Sequence, residues 1–513
     1  MRLYIAAIVA GITLGLAWIV SPLFAFVGFM PMLFLAQQTS FWQYARLCYV
    51  FFLSWNLVAA SWIPQIDFEA GTVMMIVVPV LMSVPMLWSF QQKKPYLFAI
   101  SWIAFEYLQY QWEFLWSWLT LGNCLANLPD AIQWYEFTGT LGGSAWIWVG
   151  NILIFQAIRQ ARASVRLTSI YLLGFASSFG VAFGVGAILA LPTPNDKQDL
   201  QVLILQPNIN PKTEKFKKLK PLEQAQILTR MIDSAITKQT DLVILPEAIL
   251  GKRFEMSGLF HVGNYKEWDT LKNCFDKYPN TSFVFGMNMH RWVHGAERAH
   301  YTAHKENEHS YRKIYNVALL YQKWQPKKYH YKMKRVPSSE YTPLPNFMKP
   351  LIPEISLNIT PASTPRLLEN KTGLKIGTLI CYESTYGEYV TNMTRLGAQI
   401  LAIITEDGYW NGTAEPAQHF AIDRLRAIEN RRVILRSSSM GYSCLIDRQG
   451  KAHYTTPENK RAVISLKTTI DRSPSHTFYS IWGDWIGFLA CIVVLGFVGI
   501  RMKSYFLKKV VVR

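Results

Sequence analysis

Seven apolar segments crowd the first 193 residues, each close to the length of a bilayer-spanning helix, about 20 residues. They run near 4–20, 22–37, 45–63, 71–90, 96–118, 145–160 and 168–191, and an eighth lies near 482–501. So much apolar helix can only be stable buried in lipid or in a bundle of its own kind. The first segment is not read as a cleaved leader. A second follows almost at once after Ser21-Pro22, without a small-residue cleavage site, so the two are read as a retained hairpin.

The loops give the orientation. Lys93 and Lys94 separate segments four and five. Arg159, Arg162 and Arg166 separate six and seven, and Arg501, Lys503, Lys508, Lys509 and Arg513 follow the last. With seven spans ahead of the central region, these basic clusters share one side, which the positive-inside rule makes cytoplasmic. Residues 194–475 are then expected on the opposite side. The expected organisation is a bundle over 1–193, a folded domain over 194–475, and a last span with a basic tail over 476–513. Half of the residues are hydrophobic and 17 % are charged, against about 25 % in an ordinary soluble protein. The net charge of +18 therefore points to an anionic membrane surface. The basic residues are mostly scattered and no nucleic-acid-binding motif accompanies them, so no nucleic acid partner is expected.

The central region has a different grain. "LQVLILQPNI", "DLVILPEAIL", "SFVFGMNMH", "NVALLYQ", "KIGTLICYES" and "AQILAIITEDG" are short β-rich runs alternating with polar helical stretches such as 222–238. That alternation predicts an α/β domain. Strands apolar on both faces predict a sheet covered on both sides. Six cysteines occur, none in a C-x-x-C pair, so neither a zinc ribbon nor a redox motif is indicated. A Cys274–Cys444 disulfide stays open.

Ligands of α/β sheets sit at the carboxyl ends of strands, and here several strand ends carry reactive groups. "DLVILPE" ends in Glu247, "LKIGTLIC" ends in Cys381, and "YHYKMKRVPSSEYTP" between them supplies Lys332, Lys334 and Glu340. A carboxylate can take a thiol proton, and an ammonium favours a thiolate or a later oxyanion. The three groups suffice for acyl transfer through a thioester. Singly, each is ordinary: strand-end cysteines are most often packing residues, and lysines are most often surface charge.

Order and context make the set specific. "LPEAIL", "YKMKRVPSSEYTP", "ICYES" and "DGYW…AQHFAIDRLRAIENRR" resemble the nitrilase superfamily in its membrane-embedded branch, the apolipoprotein N-acyltransferases. "FLWSWLTLGN", "IQWYEFTGTLGGSAWIWVGN" and "LQPNINPKTEKF" extend the resemblance over nearly the whole chain. It implies an αββα sandwich on a transmembrane bundle. It also implies transfer of an acyl chain from a phospholipid to the N-terminal amine of the lipidated Cys of a diacylated apolipoprotein. The family triad falls on Glu247, Lys332 and Cys381; Lys332 is preferred to Lys334 because it stands five positions before Pro337. Supporting roles fall on Glu340, Glu383 and Tyr382, and lid or lipid contact on Phe216 and Trp410. The resemblance implies no cofactor, no metal, a monomer, and a multi-pass protein of the bacterial inner membrane with its catalytic domain on the periplasmic face.

The chain departs from the family in "PEA" for "PET" at Ala248, in Ser338-Ser339 before Glu340, and in "TEDG" for "SND", which puts Glu406 where Asn is usual. Glu406 is expected to shift nearby pKa values or to serve substrate recognition. Glu106 and Glu113 lie in or beside the fifth span and are read as hydrogen-bonded bundle residues or as functional ones. The Trp-rich stretch 112–119 is read as interfacial anchoring. His290, His330 and His419 are dispersed along the chain and lack metal-ligand spacing, and the helix carrying "RLRAIENRR" is read with its charges facing solvent or neighbouring elements. Two other functions fit parts of the pattern. A membrane-anchored amidase or nitrilase would use the same triad with water as acceptor. A lipoprotein-binding sensor would need a degenerate site, which the intact triad speaks against.

Overall fold

The computed structural model describes residues 1–65, 68–112, 116–189, 196–257, 264–337, 339–343 and 358–511. The chain divides into two units. Met1–Pro64, Phe68–Ala190 and Trp482–Arg513 form the first, and Gln65–Asp67 with Leu191–Ile481 form the second.

The first unit is helical. Phe68–Phe90, Tyr135–Gln160, Val165–Leu189 and Trp485–Met502 are long and apolar enough to cross a membrane, while Arg2–Leu16 and Pro22–Gln38 are apolar but shorter. Gly11 and Gly15 bring the helix Arg2–Leu16 against Phe41–Ala59. A Cβ on Gly11 would stand 2.2 Å from the carbonyl oxygen of Phe51, the close small-xxx-small approach that packs helices where no water drives them together. Asn151 satisfies the break in the second apolar segment: its Oδ1 accepts from the N–H groups of Phe29 and Met30, and its Nδ2 donates to the Ala25 carbonyl.

Glu106 is buried and accepts from Trp102 Nε1 and Leu121 N, both at 2.8 Å, so it ties its helix to the following turn. Glu113 lies outside the described residues. In the Trp-rich stretch Trp112 is 43 % exposed, in keeping with an anchoring role, but two other rings differ from that expectation. Trp116 and Trp118 are buried in the unit, Trp118 packing on Trp62 with ring centroids 4.7 Å apart, because the large apolar rings bury more area against each other than at a surface.

The second unit is a sandwich of two sheets. Strands β1 (Lys197–Gln206), β2 (Leu242–Ile244), β3 (Arg253–Glu255), β4 (Ser282–Val293), β5 (Ala303–Lys305), β6 (Tyr311–Tyr321) and β7 (Lys328–Tyr331) belong to one sheet. The other contains β8 (Leu368–Glu369), β9 (Lys375–Ile380), β10 (Ile400–Thr405), β11 (Ile434–Ser438), β12 (Cys444–Ile446) and β13 (Ala452–His453). Strand β14 (Ala462–Asp471) returns to the first sheet and pairs antiparallel with β1. The centres are parallel, β1–β2–β4 in one sheet and β9–β10–β11 in the other.

Side-chain alternation explains why these strands are apolar on both faces. Leu200, Val202 and Ile204 of β1 meet Ile376, Ile400, Ala402 and Ile404 between the sheets. Leu203 and Leu205 point the other way, into a core with Leu228 and Ile232 of the helix Pro221–Asp233 and with Trp268 and Phe275 of Lys266–Asp276. On the far sheet a Cβ at Gly377 would meet Met393 of the helix Gly387–Arg395. The layers are therefore αββα, as expected. Cys274 and Cys444 are free thiols, one on an outer helix and one on β12. Arg426, Glu429 and Arg432 of "RLRAIENRR" are buried, with Arg426 and Glu429 3.1 Å apart, so these charges face inward rather than to solvent.

Candidate active site

Parallel strands deliver their carboxyl ends to one edge of the sandwich, and the reactive groups stand there. Glu247 follows β2, Cys381 follows β9, Glu406 follows β10, and Lys332 comes directly after β7. All four are buried. The Lys332 ammonium lies 2.7 Å from Glu340 Oε1 and 3.5 Å from Glu247 Oε1. Val336 N donates to the other Glu340 oxygen at 2.8 Å. Asn316 of β6 joins the two halves: its side chain donates to Glu247 Oε1, and its carbonyl accepts from Lys332 N at 2.9 Å.

Cys381 opens a short 3-10 turn, Cys381–Thr385, with φ at +51°. A non-glycine residue in the left-handed region costs of order 1–3 kcal/mol and persists where its surroundings enforce it. Here the turn carries its own restraints. Ser384 Oγ donates to the Cys381 carbonyl at 3.0 Å and also lies 3.0 Å from His419 Nε2. Burial pushes the Cys381 thiol well up, Glu247 and Asp407 add to the rise, and Lys332 opposes it. These effects favour the thiol over the thiolate. Burial alone would lower Lys332, but the carboxylates of Glu340 and Glu247 outweigh it and hold the ammonium charged. Burial raises Glu340 despite Lys332.

Glu383 is buried and acts as a clamp through its hydrogen bonds. Its Oε1 accepts from Met333 N at 2.7 Å, Lys334 N at 3.3 Å and Tyr389 OH at 2.8 Å, and its Oε2 accepts from Ile380 N at 2.8 Å with His330 Nε2 at 3.4 Å. One carboxylate so binds the segment after Lys332 to the strand end before Cys381. Burial would raise it, but the neighbouring His330 ring and the backbone hydrogen bonds outweigh this and hold it below its ordinary value. Its stabilisation is therefore fully present above the unfolded value, about 4.3, and is lost as pH falls through the lower folded value. Glu383→Gln turns an NH2 toward N–H donors and is expected to cost about 3 kcal/mol at pH 7. Thermal unfolding against pH checks this: the gap to wild type should close below about pH 4, and a constant or widening gap there would refute the clamp.

Tyr382 is buried, its ring edge-on to Tyr386 at 5.3 Å. Phe216 is 46 % exposed at the end of the turn Pro211–Lys215, whereas Trp410 is 7 % exposed. Of the two residues expected to contact lipid, Phe216 is the one exposed at the surface. Ser338 lies outside the described residues.

Sequence reasoning missed a polar network behind Cys381. Asp407 Oδ1 accepts from Thr405 Oγ1 and lies 3.0 Å from His419 Nδ1; its Oδ2 accepts from Arg436 and Ser438. Arg436 also donates to Asp423 at 2.6 Å. Asp407, Glu415 and His419 bring donor atoms within 4.8 Å of one another, which linear spacing did not foretell. The Arg436 guanidinium already supplies the countercharge there. A polar residue inside the apolar run "NVALLY" was the available signal for Asn316.

Residues 202–473, more than half of the chain, match the family model described as carbon-nitrogen hydrolase. The chain belongs to that family. Residues 10–153 match the apolipoprotein N-acyltransferase N-terminal domain, which puts it in the membrane-embedded branch of the nitrilase superfamily. An apolipoprotein N-acyltransferase of Chlorobaculum tepidum is 25 % identical over 95 % of this chain and 94 % of its own. One of Geobacter metallireducens is 24 % identical over 98 % and 96 %. A carbon-nitrogen hydrolase of Helicobacter pylori, known by its crystal structure, is 15 % identical over 56 % of this chain and 94 % of its own, with a TM-score of 0.38.

Proposed function

We propose that the chain moves an acyl group from a membrane phospholipid to the N-terminal α-amine of a diacylated apolipoprotein, through a thioester on Cys381. The observation that carries this reading is one buried ammonium, Lys332, set between Glu247 and Glu340 at 3.5 and 2.7 Å, with a buried thiol, Cys381, at the end of β9. In the first half-reaction the Cys381 sulfur bonds the ester carbonyl carbon while its proton passes to Glu247. Lys332 faces the oxyanion of the tetrahedral intermediate. The C–O bond breaks, Glu247 returns the proton to the leaving oxygen, and lysophospholipid departs. In the second, the acceptor ammonium first gives one proton to solvent. The amine then attacks the thioester, Glu247 takes the remaining surplus proton, and the C–S bond breaks as sulfur recovers it.

Water as acceptor would make the same site a hydrolase. The names of the full-length relatives and the match over 10–153 support the amine. We take residues 1–193 as a seven-span bundle, 194–475 as the catalytic domain outside the cytoplasm, and 476–513 as an eighth span with a cytoplasmic tail, in the inner membrane and as a monomer; the basic loops support that orientation. Reporter fusions at residues 93 and 300 are expected to give opposite signals, and identical signals would remove this topology.

The function itself is tested by incubating purified protein with phospholipid and a diacylated lipopeptide and weighing the products. A triacylated lipopeptide is expected. Free fatty acid as the main product, with the amine left untouched, would instead establish the hydrolase.

A further inference from the structure

Behind Glu247 lies a second buried ion pair that the scheme above does not use. Lys215 ends the turn Pro211–Lys215, and Glu406 follows β10. They stand 191 residues apart in sequence, and Lys215 Nζ meets Glu406 Oε2 with the two side chains only 2 % and 6 % exposed. Both also grip Glu247. Lys215 Nζ donates to its main-chain carbonyl at 3.4 Å, and Glu406 N donates to its Oε2 at 3.1 Å.

A buried ion pair is a weak source of stability by itself, because desolvation offsets the attraction. Its placement around one carboxylate is the informative feature. The groups facing Glu247 are then Lys215 and Glu406 on one side, Lys332, Glu340 and Asn316 on the other, with Cys381 and Tyr409 coupled to it.

We propose that Lys215 and Glu406 are positioning residues for Glu247, gripping it at backbone and carboxylate while their opposite charges cancel in its field. The proposal rests on the reading of Glu247 as the general base. Removing only the ammonium leaves the Glu406 charge beside the base and makes it easier to protonate. Removing only the carboxylate leaves the Lys215 charge and makes it harder.

The test measures the rate of acyl-enzyme formation against pH, on full-length protein with detergent-solubilised phosphatidylethanolamine, for Lys215→Met, Glu406→Gln and the double variant. Each single variant is expected to slow acylation about 10- to 100-fold at neutral pH through misplacement of the base. The acidic limb is expected to move up by about one pH unit in Lys215→Met and down by about one in Glu406→Gln. The double variant, which buries no unpaired charge, should return the limb to the wild-type position, while its rate stays reduced because the Lys215 contact to the Glu247 carbonyl is gone. Lys215→Arg keeps the charge and should keep the limb in place, so the test survives if a single neutral variant does not fold. Limbs that stay put or move the same way in both single variants, or a displaced limb in the double variant or in Lys215→Arg, would overturn the pair. Absence of any wild-type adduct would overturn the reading of Glu247 itself, and the pair with it.

Discussion

Replacing Lys332 with alanine is expected to lower turnover at least about 1,000-fold, while Lys334→Ala stays within a few-fold of wild type. The two lysines are two residues apart and would share a face if the segment were extended. The fold separates them. The Lys332 side chain is 1 % exposed, its ammonium between two carboxylates, whereas Lys334 Nζ lies over the Tyr386 ring at 5.0 Å. Without Lys332, Glu247 and Glu340 face each other buried and with no cation between them. One then holds a proton at neutral pH, the base is compromised, and the oxyanion loses its partner. The same change should cost about 3–5 kcal/mol of stability, so turnover is measured on protein that still elutes as a folded species, with thermal unfolding beside it. Equal losses in both variants would detach the effect from position, and the reverse order would move the role to Lys334.

What the sequence could carry, and what it could not, divides along a physical line. Apolar runs report burial, so the helices and the two-faced strands were legible. The strand ends at Glu247 and Cys381 were legible because a reactive group closes an apolar run in each. The choice of Lys332 over Lys334 came from family register; in the structure Lys332 reaches Glu247 and Glu340, while Lys334 Nζ lies over the Tyr386 ring. Apolar content did not say which apolar surface covers which, and so Trp116 and Trp118 were misplaced at an interface when they pack on Trp62. Polar contacts between distant segments left the weakest trace. Asn316 reaches Glu247 across 69 residues, Lys215 reaches Glu406 across 191, and His419 finds Ser384 across 35. Each looks like an ordinary polar residue until the strands bring their ends together. Glu406 drew notice only as a departure, and its partner Lys215 drew none.

The Cys381 sulfur is the proposed carrier of the acyl group. A thioester is activated toward amines and should accumulate only while no acceptor is present. Full-length protein mixed with phospholipid alone is therefore expected to gain the mass of one acyl chain, located on Cys381 by peptide mapping. Neutral hydroxylamine should remove it, and a diacylated lipopeptide should discharge it into a triacylated product. Cys381→Ala should show neither adduct nor product. An adduct missing from the wild type, together with transfer that survives Cys381→Ala, would contradict the assignment of the nucleophile.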